Sequence, residues 1–165
     1  MSLSTGSPVQ IAWVTPELDV TETALTSLLG VKKWVRIPEV HFGPETCRYR
    51  GEPADFVASI ALSYLADMQL ELIQPVRGQS IYSDFLADHG PGLHHICVEA
   101  ENPDLAAALA AAVGHGATVV QQGVMPGGMR FAYVSAPRAG VPFLEIAYIP
   151  PEVRAFFDDI KREQQ

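Results

Sequence analysis

Apolar residues along this chain fall into short runs separated by turn residues, and most of the runs have the length of a strand. The clearest runs cover residues 9–15, 56–65, 68–74 and 93–99. Runs of this length that are bounded by Gly, Pro, Asp or Asn are typical of strands. Weaker runs of the same character cover residues 31–37, 118–124, 129–135 and 142–149. The pattern therefore predicts a protein dominated by strands.

Four stretches between and after these runs have helical character. The predicted helices cover residues 21–29, 81–87, 103–113 and 152–162. Asp19 and Glu22 have the spacing of a capping box before the first helix. Ser80 is a favourable cap for the second helix. Asn102 followed by Pro103 predicts the start of the third helix, because proline is favourable at the first helical position.

The order of these elements repeats along the chain. Each half runs strand, helix, strand, strand, strand, and a repeat of this kind decides the architecture. Residues 10–12 correspond to residues 95–97, and residues 70–73 correspond to residues 144–147. We therefore predict the α+β class, with two tandem βαβββ modules whose curved sheets leave one cleft between them.

The two predicted modules differ in length. The predicted division of the chain is an unstructured start at residues 1–7, a first module at 8–75, a linker with a short helix at 76–91, a second module at 92–149 and a C-terminal helix at 150–165. The extra residues of the first module fall at 39–53, where Gly, Pro and charged residues interrupt the pattern. We predict that this segment is a loop that covers the cleft.

Composition narrows the function classes. The chain has 165 residues, of which 48% are hydrophobic, and this suits one domain or two small modules with a shared core. No apolar run has membrane-spanning length and the start does not resemble a signal peptide, so we expect a cytoplasmic protein without a membrane partner. The formal net charge of −8 argues against nucleic acid as a partner, because phosphate binding requires a basic face. The cysteines Cys47 and Cys97 fit a reducing compartment.

Four polar residues occupy corresponding positions of the repeat, each within an apolar run. They are Gln10, Glu71, His95 and Glu145. A buried carboxylate without a partner is costly or becomes neutral, whereas a divalent cation between the two halves satisfies both glutamates. Because side chains alternate along a strand, one of two adjacent histidines faces the cleft, and the repeat selects His95 over His94.

This set of side chains offers oxygen ligands and one imidazole, which suits Zn, Ni, Co, Mn or Mg. We therefore predict one divalent metal ion, with Gln10, Glu71, His95 and Glu145 as its ligands. Taken singly, each residue has a structural explanation as a polar strand start, a satisfied core histidine or a solvent-facing glutamate. The remaining histidines are predicted not to be ligands, and His41 and Glu45 in the covering loop are weaker candidates for substrate contact.

Three motifs carry a family resemblance that extends over residues 9–149. They are Leu-Glu-Leu at 70–72, Gly-Leu-His-His-Ile at 92–96 and Phe-Leu-Glu-Ile at 143–146. At these residues the chain resembles the vicinal oxygen chelate superfamily, which includes glyoxalase I, methylmalonyl-CoA epimerase, extradiol dioxygenases and bleomycin-resistance proteins. The resemblance implies a cup of paired modules around one metal ion. Gln10 replaces the commoner histidine, which argues against a dioxygenase.

The resemblance implies a metal-dependent lyase, isomerase or epimerase of the glyoxalase type. In such enzymes the metal chelates neighbouring oxygens of a small carbonyl or thioester substrate, and the adjacent proton moves through an enediolate. Glu145 is the expected base and Glu71 is the second candidate. Family members commonly form homodimers, so a homodimer is expected here.

Two other interpretations stay open. The same scaffold also holds non-catalytic small-molecule-binding proteins of the bleomycin-resistance type, which a metal-free cleft favours. An unrelated α+β domain with structural glutamates predicts that the four residues do not converge. A thioester of coenzyme A or glutathione needs basic side chains to bind its phosphates or carboxylates. The net negative charge of the chain does not favour such a site. Residues that could line an apolar pocket are Trp13, Phe42, Tyr49, Met129 and Phe131.

Overall fold

Strands account for most of the regular structure in the computed structural model of this protein, which describes residues 5–165. The strands are β1 (Thr5–Val14), β2 (Val35–Phe42), β3 (Cys47–Tyr49), β4 (Glu52–Pro53), β5 (Phe56–Leu65), β6 (Met68–Arg77), β7 (Gly92–Ala100), β8 (Val119–Val124), β9 (Arg130–Ser135) and β10 (Phe143–Tyr148). The α-helices are α1 (Leu18–Leu29), α2 (Ile81–His89), α3 (Ala106–Gly114) and α4 (Pro151–Arg162).

These strands form one mixed sheet in the order β2-β5-β6-β1-β7-β10-β9-β8-β3-β4. Strand β1 is parallel to β6, and β10 is parallel to β7. Strands β1 and β7 are antiparallel and join the two halves of the sheet. The order β2-β5-β6-β1 on one side of this junction corresponds to β8-β9-β10-β7 on the other. The predicted α+β class and the tandem βαβββ modules of the glyoxalase fold are therefore confirmed.

The register of the four central strands brings particular side chains to one face of the sheet. Ala12 in β1 is paired with Glu71 in β6 and with His95 in β7. Cys97 in β7 is paired with Gln10 in β1 and with Glu145 in β10. Directly paired residues point to the same face of a sheet. The repeat therefore brings one candidate residue from each central strand to the concave side.

The helices divide between the two faces of the sheet. Leu18 of α1 packs against Ala61 and Leu72, and Leu72 alternates with the inward-facing Glu71. Leu105, next to α3, packs against Ile146, which alternates with Glu145. Helices α1 and α3 therefore cover the outer face. Helices α2 and α4 join the main core on the inner side through side chains that include Tyr82, Phe85, Phe157 and Ile160.

The segment 39–53, which was predicted to be a covering loop, contains the end of β2 and the β3–β4 hairpin. The hairpin leaves its own module and extends the far edge of the other one, where Cys47 pairs with Gly123 of β8. A Cβ atom at Gly123 would lie 2.7 Å from the Thr46 carbonyl oxygen, so this close approach requires glycine. The Tyr49 hydroxyl donates to Asp84 Oδ2 of α2 at 2.5 Å, which fixes the hairpin to the helix that links the two modules.

Two predicted helix starts are wrong, and one is confirmed. Helix α1 begins at Leu18 without a side-chain cap, and Asp19 and Glu22 bind Arg36 instead of forming a capping box. Helix α3 begins at Ala106, because the segment from Asn102 forms side-chain-stabilised turns before the helix. Ser80 caps α2 as predicted, by accepting from the Tyr82 and Ser83 amides.

The start of the chain differs from the predicted unstructured segment. Residues 5–7 belong to β1, whereas residues 1–4 lie outside the described part of the chain. None of the described helices has the length and apolar composition needed to cross a membrane.

Candidate metal centre

The four residues singled out in the repeat converge around the His95 imidazole. His95 Nε2 lies 3.0 Å from Gln10 Oε1, 2.9 Å from Glu145 Oε2 and 3.7 Å from Glu71 Oε1. One ligand atom from each of Glu71, His95 and Glu145 lies within 4.8 Å of the others. This convergence excludes the interpretation in which the glutamates are unrelated surface residues.

The amide of Gln10 is oriented by its neighbours. Gln10 Nε2 donates to Gln69 Oε1 at 2.6 Å and to Glu71 Oε2 at 3.3 Å. Gln69 Nε2 donates in turn to the Tyr64 hydroxyl at 3.0 Å. With its NH2 group held in this way, Gln10 presents its carbonyl oxygen to the centre of the site.

The site is buried and rich in acidic groups. His95 is fully buried, Gln10 and Glu145 are each 4% exposed, and the Glu71 side chain is 13% exposed. Burial raises the pKa of Glu71 well above its usual range, and the nearby Glu145 carboxylate raises it further, while the hydrogen bond from Gln10 opposes the shift. Two carboxylates, an imidazole nitrogen and an amide oxygen at this spacing fit a divalent cation.

His94 was predicted to face away from the site, and this prediction is wrong. Its Nδ1 lies 2.8 Å from His95 Nδ1, and both rings are fully buried. The register of β7 against β1 changes from the Ala12–His95 pair to the Trp13–Leu93 pair, so His94 sits at a β-bulge. A bulge redirects one side chain, which explains why adjacent histidines escape strict alternation.

The His94 ring has an unusual environment. Burial, and then the neighbouring His95, lower its pKa well below the usual range, so the ring is neutral. Its Nε2 is buried without a hydrogen-bond partner among the described residues. The rings that surround it belong to Tyr82, Phe85, His95, Tyr133 and Phe143.

A pair of buried tyrosines lies beside the site and was missed by the sequence analysis. The Tyr82 and Tyr133 hydroxyl oxygens are 2.7 Å apart, and the Tyr133 ring centroid is 4.8 Å from that of His95. Burial, and then the charge of Glu145, raise the pKa of both phenols well above the usual value, so both keep their protons. Tyr133 is the direct cross-strand partner of Glu145. The position of Tyr133 opposite Glu145 becomes visible only when the strand pairing is known.

The candidate ligands Glu71 and Glu145 open onto a cavity of about 310 Å³. Of the residues predicted to line a pocket, Phe42, Met129 and Phe131 line this cavity. Trp13 packs instead near α1, and Tyr49 holds the hairpin.

Two further polar residues, Glu39 and His41, line the cavity, and only His41 was a candidate from the sequence. Glu39 has a φ of 51° at an irregularity in β2. This strained backbone could not be inferred from the sequence. Glu45 lines a separate groove beside α3.

Helix α4 supplies part of the cavity wall through Val153, Phe156 and Phe157. Three ion pairs tie this helix and the residue that follows it to the rest of the molecule. The pairs are Arg154–Glu99, Lys161–Asp67 and Lys33–Glu163. One part of the cavity wall is therefore supplied by a helix that lies outside the two repeated modules.

Several solved structures share this fold. Methylmalonyl-CoA epimerase from Mycobacterium tuberculosis is 18% identical, with a TM-score of 0.62 over 94% of this chain and 95% of that one. A hypothetical protein from Bacillus halodurans C-125 is 16% identical, with a TM-score of 0.61 over 86% and 93% of the two chains. Streptomyces coelicolor methylmalonyl-CoA epimerase in complex with 2-nitronate-propionyl-CoA is 19% identical, with a TM-score of 0.54 over 88% and 95%. At these identities the similarity is one of fold.

A search of curated proteins gave no match to this chain. The family model of the Glyoxalase/Bleomycin resistance protein/Dioxygenase superfamily matches residues 9–133. The matched segment contains Gln10, Glu71 and His95, whereas Glu145 lies beyond it and joins the site through the fold of β10. Because the match covers most of the chain, the protein belongs to this superfamily, the vicinal oxygen chelate family that its motifs resemble.

Proposed function

We propose that this protein is a metal-dependent enzyme that moves a proton on the carbon next to a carbonyl group, as isomerases and epimerases of its superfamily do. The observation that carries the proposal is the convergence of Gln10, Glu71, His95 and Glu145 at a buried position beside an apolar cavity. The structural neighbours from Mycobacterium tuberculosis and Streptomyces coelicolor are named methylmalonyl-CoA epimerase, which agrees with this reaction class.

The proposed ligands are Glu71, Glu145, His95 Nε2 and Gln10 Oε1. A divalent cation held by these residues would supply Lewis acidity for a carbonyl oxygen, which would lower the pKa of the neighbouring C–H group. Gln10 contributes a neutral ligand whose orientation is fixed by Gln69. The mostly apolar wall lowers the local dielectric constant, which strengthens electrostatic interactions with the buried ligands.

The proton is moved by a carboxylate that reaches the cavity. Glu145 is the proposed base and Glu71 the second candidate, and both line the cavity. Glu39 lines it as well and offers a carboxylate outside the ligand set, which suits the return of a proton to carbon. The pair Tyr82 and Tyr133 has one hydroxyl proton that is not used within the pair, and it can donate to a substrate oxygen.

The first test is the metal content of protein purified without chelator, measured by mass spectrometry for the wild type and for Glu71→Gln and Glu145→Gln. We expect about one divalent ion per chain in the wild type and loss of metal in both variants, because each removes a charged ligand. Glu101→Gln, which changes an exposed glutamate, is the matched control. A wild type that takes up no metal on titration would contradict the proposal.

A second readout follows proton transfer itself. The metal-loaded protein is incubated with a ketone or thioester in deuterated water, and exchange at the adjacent carbon is followed by NMR. We expect exchange that depends on both the metal and Glu145. Metal binding without exchange for any carbonyl compound tested would favour the second candidate function, a non-catalytic small-molecule-binding protein, which the apolar cavity also suits.

A further inference from the structure

The wall of the cavity has an unusual charge pattern. Glu39, Glu71 and Glu145 line it together with His41, whereas the described residues that line it include neither lysine nor arginine. The rest of the wall is mostly apolar, with Val40, Leu62 and Phe131 as examples. A divalent cation balances two of the three carboxylates, so the wall does not become positive when the proposed site is filled.

This pattern disfavours an anionic ligand. A negative group placed beside a carboxylate is repelled, and the repulsion is stronger in a partly desolvated site than in bulk water. Phosphates and carboxylates of large carrier groups need arginine or lysine to offset such repulsion. The described residues that line the cavity offer no arginine or lysine for this purpose.

Most basic side chains near the site are already paired with acidic partners. Arg36 binds Asp19 and Glu22, and Arg77 lies 3.4 Å from Asp55. Around α4 the basic side chains are also bound to acidic partners, in the pairs Arg154–Glu99, Lys161–Asp67 and Lys33–Glu163. Arg48 and Arg130 line a separate surface groove beside α3, away from Glu71 and Glu145. None of these basic side chains therefore faces the proposed metal as a free cation.

Helix α4 limits the size of the ligand. Val153, Phe156 and Phe157 form part of the wall, so the space beside the candidate ligands is bounded on the side of α4. A volume of about 310 Å³ lies at the lower end of the range for small-molecule pockets. A cavity of this volume suits a compact compound, whereas the long polar arm of a carrier thioester would lie outside it.

We propose that the cavity takes a compact, uncharged and hydrophobic carbonyl compound with a second oxygen beside the carbonyl, and that it rejects thioesters of coenzyme A and of glutathione. The requirement for two oxygens rests on the proposed function, because it assumes a metal at Gln10, Glu71, His95 and Glu145. The preference for an uncharged apolar body rests on the cavity wall alone. These two parts of the proposal can therefore be tested separately.

The test is isothermal titration calorimetry of the Zn²⁺-loaded protein with three probes of different charge. The probes are 2-hydroxyacetophenone, lactoylglutathione and methylmalonyl-CoA. We expect 2-hydroxyacetophenone to bind at least about 10-fold more tightly than either anionic thioester, a difference of roughly 1.4 kcal/mol. Equal or tighter binding of methylmalonyl-CoA or lactoylglutathione would overturn the proposal.

A charge placed in the wall provides a second test. Met125 lines the cavity and is only partly buried at the edge of the main core, so Met125→Lys adds a cation to the wall. We expect the variant to bind lactoylglutathione more tightly and 2-hydroxyacetophenone more weakly than the wild type. Val113→Lys, at a position 52% exposed on α3, adds the same charge outside the cavity and is expected to leave both affinities unchanged. If Met125→Lys has no effect on either affinity, the charge of the wall does not select the ligand.

The outcomes separate this inference from the proposed function. If the protein binds no metal, acetophenone, which lacks the second oxygen, replaces the hydroxyketone as the probe of the metal-free protein. Acetophenone binding with rejection of the thioesters would then support the apolar cavity while the proposed function fails. Metal binding and proton exchange on methylmalonyl-CoA would support the proposed function while this inference fails.

Discussion

At the scale of single residues, the candidate site depends on side chains that orient its ligands. Gln69 accepts from Gln10 Nε2 at 2.6 Å and lies on the same face of the sheet. A glutamine amide has two different ends, and only its oxygen binds a cation. Gln69 therefore decides which end of Gln10 points at the site.

Removal of this orienting contact is expected to weaken metal binding. In Gln69→Leu the Gln10 amide loses its strongest acceptor, and we expect Co²⁺ affinity to fall by about 10-fold, as is typical of residues that support a ligand. Titration with a competing chelator measures the change. Gln122→Leu, on the exposed face of β8, is the control, and an unchanged affinity in Gln69→Leu would show that Gln10 is oriented without Gln69.

His94 supports a second prediction at this scale, because its Nδ1 is placed to accept from His95 Nδ1. In His94→Asn the side-chain amide oxygen keeps a hydrogen-bond acceptor near the position of Nδ1. In His94→Phe the ring fills the same space but offers no acceptor. We expect His94→Phe to lower Co²⁺ affinity by about 10-fold and to change the visible absorption of bound Co²⁺, while His94→Asn retains most of both. Equal effects in the two variants would indicate that His94 acts through packing alone.

At the scale of elements, two segments outside the repeat connect its halves. The β3–β4 hairpin comes from the first half and extends the sheet of the second, and α4 lines part of the cavity formed by both. The hairpin is fixed by the Tyr49–Asp84 hydrogen bond and by the close approach at Gly123. Both segments therefore couple the modules beyond the β1–β7 junction.

Loss of the Tyr49 hydroxyl is expected to destabilise the fold in a pH-dependent way. Tyr49→Phe removes the donor to Asp84 and is expected to cost about 1–2 kcal/mol in urea denaturation. Burial, and then Asp84, raise the pKa of Tyr49 above its unfolded value. Its contribution is therefore complete below about pH 10, near the pKa of an unfolded tyrosine, and is lost as the pH rises through the folded value. A stability difference between the two proteins that grows above pH 10 would contradict this assignment.

The packing of α4 gives a further prediction, since its two adjacent phenylalanines differ in burial. Phe157 is 9% exposed within the main core, whereas Phe156 is 40% exposed. We expect Phe157→Ala to lower the free energy of unfolding by about 3 kcal/mol and Phe156→Ala by less than about 1 kcal/mol. Urea denaturation of both variants measures the difference. Equal losses would mean that α4 does not pack through Phe157 in solution.

At the scale of the whole molecule, the candidate site lies where the two halves meet. Gln10 and Glu71 come from the first module, and His95 and Glu145 come from the second. The halves also share one sheet through β1 and β7. A metal bound there would therefore stabilise both modules together. The expected homodimer and cytoplasmic location stay predictions.

Metal binding is accordingly expected to raise the melting temperature in a single transition. Zn²⁺ at 100 times its dissociation constant adds about 2.7 kcal/mol to the free energy of unfolding. Differential scanning calorimetry with Zn²⁺ and with a chelator measures the shift, and Glu145→Gln is expected to abolish it. Two separate transitions, with only one shifted by Zn²⁺, would show that the halves unfold independently.

The sequence by itself determined the repeat, the fold class and the four residues that converge. The alternation of apolar and polar residues and the correspondence between the two halves are retained in the fold, because both depend on the register of the central strands. The tertiary structure alone decided the orientation of His94, the edge taken by the β3–β4 hairpin and the presence of Glu39, Tyr82 and Tyr133 at the cavity. Asp19 and Glu22 matched a capping box locally but bind Arg36, which follows them by more than a dozen residues. Alternation and capping are local rules, whereas bulges, strand pairing and distant partners depend on contacts that form only when the chain has folded.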